Sequence, residues 1–307
     1  MRTVVFASGK GGTGKTTLTA LAAHAWSSRG VVLADCDVEA ANLPIALGAR
    51  EASARPFAGG AVAAIDQDVC RGCGACARVC RFEAIVPGRS GSRPTLAVDA
   101  YACEGCGACV EHCPDGAISM TGTVAGRVVE AVSTAGPIVY GELEPGEDLS
   151  GKLVTEVRSA AGRIAETSSA ALVLVDGPPG VGCPVIASVT NADLLVAVAE
   201  PTISGEHDLA RLVDLARRLK VSVAVVLNKA DLSASGAGRI RDLAAREGLP
   251  LLGEIPFDEA LARTLHDLAA GAAFDDVLAA GSPGILAARD AIDAIAALLE
   301  EPAAPVR

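Results

Sequence analysis

The sequence predicts an α/β fold: a doubly wound, mostly parallel sheet into which a smaller α+β module is inserted. Three observations carry this. Apolar runs at 4–7, 31–34, 171–175, 194–199 and 221–227 alternate with longer helix-like stretches, as in strands covered on both faces. Half of the 307 residues are hydrophobic but only 3% are aromatic, and much of the apolar content is Ala, Val and Leu, which suits parallel strands under helices. Two cysteine-rich blocks interrupt the alternation after the second strand. The expected organisation is a first part of the large domain at 1–58, an insertion at 59–121 and the second part at 122–307.

The first strand runs into Ser8-Gly9-Lys10-Gly11-Gly12-Thr13-Gly14-Lys15-Thr16-Thr17, and a helix-like stretch follows at 18–26. This is G-x-x-x-x-G-K-T between a strand and a helix, a phosphate-binding loop. Its glycines allow the backbone N–H groups to converge on an anion at a helix N-terminus. Lys15 would reach the β- and γ-phosphates of a nucleotide, and Thr16 would offer its hydroxyl to Mg²⁺. Gly9 to Thr17 are therefore the expected nucleotide-binding residues. The second predicted strand ends in Asp35-Cys36-Asp37, where carboxylates lie at the ligand-binding edge of an open α/β sheet.

Residues 49–61, with Arg50, Glu51, Arg55, Pro56 and Gly59-Gly60, read as a linker into the insertion. The insertion holds Cys70-x2-Cys73-x2-Cys76-x3-Cys80 and, 33 residues on, Cys103-x2-Cys106-x2-Cys109-x3-Cys113-Pro114. This is the spacing of bacterial two-cluster ferredoxins, in which the fourth cysteine of each run ligates the other cluster. One [4Fe–4S] cluster would take Cys70, Cys73, Cys76 and Cys113, and the second Cys103, Cys106, Cys109 and Cys80. Zinc ribbons use paired knuckles rather than four-cysteine runs. One departure is Arg81, where the second run has Pro114. Eight of ten cysteines in two tight runs are a metal pattern of a reducing compartment, not a disulfide framework. Cys36 and Cys183 are read as ordinary thiols.

Strands are expected at 124–132 and 138–141 and a helix at 151–165. The apolar strand ending at Asp176, before Gly177-Pro178-Pro179-Gly180, has the Walker B pattern and would bring Asp176 to the Mg²⁺ site. A later strand delivers Asn228-Lys229, and Asp258 after Pro256-Phe257 is placed to cap the next helix.

Lys10, within the loop, gives Lys10-Gly11-Gly12-Thr13-Gly14-Lys15-Thr16, which resembles the deviant Walker A motif of the MinD/ParA/Mrp/nitrogenase-iron-protein class. Across nearly its whole length the chain resembles MinD-superfamily ATPases that carry an inserted two-cluster ferredoxin domain. The resemblance implies a P-loop ATPase that pairs on ATP binding, as a homodimer or with a related paralogue, with Lys10 reaching the partner's nucleotide. It also implies that Lys10, Lys15 and Asp37 carry catalysis, Asp37 aligning the attacking water. Gly180 would read the γ-phosphate, Asn228 the adenine edge, and Pro256 and Asp258 would border the base.

The formal charge of −11 argues against nucleic acid and anionic membranes as partners. No stretch is long and apolar enough to span a bilayer, and no secretory signal fits, so a cytoplasmic protein is expected. The predicted helix at 285–299 carries Arg289, Asp290 and Asp293 and is followed by Glu300 and Glu301, unlike a basic membrane-targeting helix. No cysteine follows Cys183, so the late C-x-x-C of Mrp- and Nbp-type cluster carriers is missing. The expected cofactors are ATP with Mg²⁺ and two [4Fe–4S] clusters. The expected function is ATP-gated electron transfer to a redox partner; a cluster scaffold or carrier, and a redox-sensing positioning ATPase, are the alternatives.

Overall fold

The computed structural model describes residues 1–147, 150–279 and 281–300; Glu301 of the acidic C-terminal reading lies outside them. The strands are β1 (Arg2–Ser8), β2 (Val31–Asp35), β3 (Arg50–Ile65), β4 (Ile85–Ser90), β5 (Arg93–Val98) and β6 (Ile118–Ser133). They continue with β7 (Gly136–Leu143), β8 (Leu172–Pro179), β9 (Leu194–Ala199), β10 (Ser222–Asn228) and β11 (Leu251–Ile255). Nine form one sheet in the order β11-β10-β9-β1-β8-β2-β7-β6-β3, and β4 and β5 form a separate pair. The chain divides into two compact units, one of Met1–Arg55 with Arg127–Arg307 and the other of Pro56–Gly126.

In the first unit the strands from β11 through β7 are parallel. β1 is the middle one of these parallel strands, between β9 and β8. Later strands are laid down on both sides of it, which makes the C-terminal end of β1 a topological switch point where open α/β sheets bind ligands. Val4, Val5, Phe6 and Ala7 are all fully buried. Val4 and Phe6 join a cluster with Leu18, Leu21, Ile285 and Ile292, from the helices Lys15–Ala25 and Pro283–Glu300. Val5 and Ala7 face the other way, where Cys183–Val189 and Ile203–Leu219 pack. A continuous apolar run is the signature of such a strand because neither of its faces meets water. Ser150–Thr167 buries Leu153, Val154 and Val157, as its periodicity predicts.

The structure corrects the reading of 49–61 as a linker, because these residues lie within or next to β3, the edge strand of the sheet. Pro56 lacks a backbone donor and is tolerated on an edge. A Cβ on Gly59 would lie 2.5 Å from Thr123 Oγ1, so glycine there allows close approach to β6 and does not break the strand.

In the second unit β4 and β5 form an antiparallel hairpin registered from Ile85 opposite Val98 to Ser90 opposite Arg93. Two short helices, Ala75–Val79 and Ala108–Glu111, pack together. Each follows one of the cysteine loops, and Gly74 and Gly107 before them share the left-handed conformation, with φ 77° and 72°. The sequence repeat is thus a repeat of backbone shape. A small core of Ala63, Cys76 and Ile118 is lined by Ile65, Ile85, Leu96, Cys103, Cys109 and Cys113.

Candidate functional site

The loop after β1 leads into the helix Lys15–Ala25 through Gly14, whose φ of 93° favours glycine and where a Cβ would lie 2.4 Å from Asn228 Nδ2. Above it opens a pocket of about 540 Å³. Its lining includes Gly11, Gly12, Gly14, Lys15, Thr16 and Thr17 from the loop and the helix start, Asp37 from beyond β2, and Asn228, Lys229 and Asp258 from the C-terminal half of the chain. Phe257, Leu261 and Leu265 supply apolar wall, which suits the flat face of a base beside a polar phosphate end.

Several of the expected residues lie elsewhere. Gly9, Lys10 and Thr13 line a small cavity below the loop with Glu200 and Asp208. Gly180 and Pro256 are not among the pocket's lining residues, and the Gly180 N–H donates to the Ser8 carbonyl at 2.9 Å. Asp258 caps Glu259–Ala269 as predicted: Oδ1 accepts from the N–H groups of Ala260 and Leu261, and Oδ2 from that of Gly284 at 2.8 Å. Asn228 Nδ2 donates to the Thr13 carbonyl at 2.8 Å and Oδ1 accepts from the Lys229 N–H, so much of its amide is held by the protein itself.

Asp35, the last residue of β2, lies in register with Asp176 on the neighbouring parallel strand β8, and both are buried. Asp35 accepts from the N–H groups of Asp37 and Leu43, and Asp176 Oδ1 accepts from Thr19 Oγ1 at 3.2 Å. Burial pushes Asp176 up to about 6, with Thr16, Lys15 and Thr19 pulling the other way. Burial, followed by the neighbouring Asp176, raises Asp35 well above the ordinary carboxylate range. Neither forms an ion pair among the described residues. Two buried carboxylates side by side without a paired cation form a donor set suited to a divalent ion. Burial also raises Asp37, against the opposing charge of Lys15.

Sequence reasoning missed Glu200, at the end of β9. Its carboxylate takes Lys10 Nζ at 2.7 Å on one oxygen and Lys229 Nζ at 2.6 Å on the other. The signal was present, since Glu200 directly follows an apolar run in the sequence, as Asp35 and Asp176 do.

In the second unit one pocket is lined by Cys70, Cys73, Cys76 and Cys113, and another by Cys80, Cys103, Cys106 and Cys109. Cys70 and Cys76 are 8% and 6% exposed, and the Ala117 N–H donates to Cys113 Sγ at 3.3 Å. Among the described residues no three His, Cys, Asp or Glu side chains converge on a single metal ion. A cubane cluster asks for a cage that holds thiolates apart around four irons, and the two four-cysteine pockets have that composition. Arg81 sits in an exposed turn. Cys36 is fully buried, and burial pushes its thiol far up, as for a packed side chain.

Among the described residues no helix is long and apolar enough to cross a membrane. The family model for the CobQ/CobB/MinD/ParA nucleotide-binding domain matches residues 4–267. The Methanocaldococcus jannaschii protein MJ0578 is 37% identical over 227 residues, covering 74% of this chain and 77% of that one. A second protein of that organism, MJ0579, is 28% identical over 234 residues, covering 76% and 82%. Among solved structures, the septum site-determining protein MinD of Pyrococcus horikoshii, complexed with Mg-ADP, superposes with a TM-score of 0.56 at 17% identity, covering 97% of each chain. The MinC:MinD complex of Aquifex aeolicus gives 0.56 at 18%, covering 100% of this chain and 99% of that one. These likenesses extend to the α/β P-loop fold with its mostly parallel sheet. With a family match over most of its length, the chain belongs to the CobQ/CobB/MinD/ParA nucleotide-binding domain family and is an ATP-binding ATPase of the MinD/ParA type.

Proposed function

We propose that this ATPase uses ATP-driven pairing of two chains to gate electron transfer through two [4Fe–4S] clusters held by its second unit. The observation that supports it most is the partition of eight thiols. Spacing assigns Cys113 to the first trio and Cys80 to the second, and the same exchange recurs in the composition of the two pockets. We read Pro56–Gly126 as the inserted module expected at 59–121. Bound clusters supply one-electron chemistry. The chain's own part is to bury Cys70 and Cys76 and to aim the Ala117 N–H at Cys113 Sγ.

In the nucleotide pocket the reading assigns Lys15 and the loop amides to the phosphates. Thr16 and Asp176 would hold Mg²⁺, which neutralises phosphate charge when bound. Asp37, half-buried and lining the pocket, orients the water that attacks the γ-phosphate; phosphoryl transfer needs a positioner more than a strong base. Lys10 lies outside its own chain's pocket, which agrees with a role towards a second chain's nucleotide. The expected partners are therefore a second copy or a related paralogue, and a redox protein.

A cluster carrier is the second reading. The burial of Cys70 and Cys76, the latter in the unit's small core, favours resident clusters over cargo. Anaerobic reconstitution tests the proposal: the full chain should take up about eight irons and show reducible cubane signals by electron paramagnetic resonance. Substoichiometric iron, or complete transfer to an apo-acceptor, would contradict it.

A further inference from the structure

The two lysines that share Glu200 are not equally free. Lys229 is fixed three times: its Nζ binds Glu200 and donates to the Gly12 carbonyl at 2.9 Å, and its N–H donates to Asn228 Oδ1. Lys10 Nζ has Glu200 as its only partner among the described residues, and its side chain is 37% exposed against 10% for Glu200. A buried carboxylate stripped of its only counter-ion is strongly destabilised. Glu200 has two counter-ions, so Lys10 can depart while Lys229 keeps the carboxylate paired. Lys229 is then the resident cation and Lys10 the releasable one.

We infer that Glu200 is a positioning residue for Lys10: it holds the ammonium on its own chain until the triphosphate bound by a second copy takes it. The inference rests on the reading of Lys10 as the residue that crosses to the partner's nucleotide. A triphosphate carries more negative charge than one carboxylate, so the exchange runs forward only when a second, ATP-loaded copy is present. The contact thereby restrains pairing, and its strength sets how much ATP pairing requires. A purely structural Glu200, bracing the loop through Lys229 and Gly12, would make the opposite prediction, because weakening it would impair pairing.

The test uses the full chain with Mg²⁺ and a non-hydrolysable ATP analogue, with monomer and dimer followed by light scattering. Glu200→Gln keeps shape and an acceptor for Lys229 but removes the charge that retains Lys10. The analogue concentration at half-maximal pairing should fall about fivefold, the size of one partly exposed ion pair. Glu200→Asp, too short to span both ammonium groups, should shift it the same way. A folded variant with an unchanged or raised midpoint overturns the inference. A measurement without any variant stands beside it: in the nucleotide-free wild type an amine-acylating reagent should modify Lys10 more slowly than the exposed Lys220, and equal rates overturn the hold. Lys10→Ala decides the underlying reading separately. If that chain still pairs with the analogue, the crossing role itself is wrong. If it does not pair while folded Glu200→Gln keeps the wild-type midpoint, only the hold by Glu200 is wrong.

Discussion

Asn228 Nδ2 donates to the Thr13 carbonyl at 2.8 Å, joining the last residue of β10 to the phosphate loop across 215 positions of sequence. Thr13 is 2% exposed, so its carbonyl has little water to turn to. The same amide sits where a Cβ on Gly14 would go. The loop is held in shape from outside, by a residue of another strand.

Removing that brace should weaken phosphate binding as such. Asn228→Ala leaves a buried acceptor unpaired, a cost of about 1–3 kcal/mol. Affinity for ATP and for inorganic triphosphate should fall together, by about tenfold, in calorimetric titrations. A loss confined to ATP would instead assign Asn228 to the base.

Asp176→Asn should stabilise the nucleotide-free protein at neutral pH while abolishing Mg²⁺-dependent hydrolysis. Asp176 has a folded pKa of about 6 against an ordinary 3.8, so the native state holds the proton more tightly than the unfolded chain. That contribution is fully present below pH 3.8 and lost as pH rises through about 6. Melting curves should therefore show the variant above the wild type at pH 7.5, with the gap closing as the pH is lowered towards 4. Equal melting temperatures at pH 7.5 would remove the argument.

Asp37→Asn should separate binding from turnover. The side chain lines the pocket without an ion-pair partner among the described residues, so ATP affinity should stay within about threefold while hydrolysis falls at least about a hundredfold. Steady-state phosphate release and equilibrium binding measure the two quantities.

Cys113→Ser and Cys80→Ser should each damage the cluster assigned by partition, not the one next in sequence. Cys113→Ser should perturb the signal of the cluster that Cys73→Ser also perturbs, and Cys80→Ser that of Cys106. Paramagnetic resonance of the four reduced variants gives the pairing directly, and pairing of Cys80 with Cys73 would refute the exchange.

Much of this was legible in the sequence, for physical reasons. Strands buried on both faces write themselves as apolar runs, and Val4 to Ala7 or Leu172 to Val175 could be read off. Glycines around Lys15 and cysteines at fixed spacing are local patterns, because one short loop must do the binding. β3 was misread because Pro56 and Gly59 break ordinary strands, while an edge position and close approach to Thr123 accommodate both here. The lysine partners of Glu200 and the Asn228 brace were not legible, since these contacts join segments far apart in sequence that are brought together only by the sheet order.

In the proposed gating, the nucleotide state is felt by the clusters. A redox titration monitored by paramagnetic resonance, with the full chain carrying non-hydrolysable ATP analogue, ADP or no nucleotide, tests it most directly. Gating requires that the midpoint potential of at least one cluster, or its rate of reduction by a fixed donor, changes on binding the analogue, and that Lys10→Ala abolishes the change. Identical potentials and identical reduction rates in all three states would contradict it.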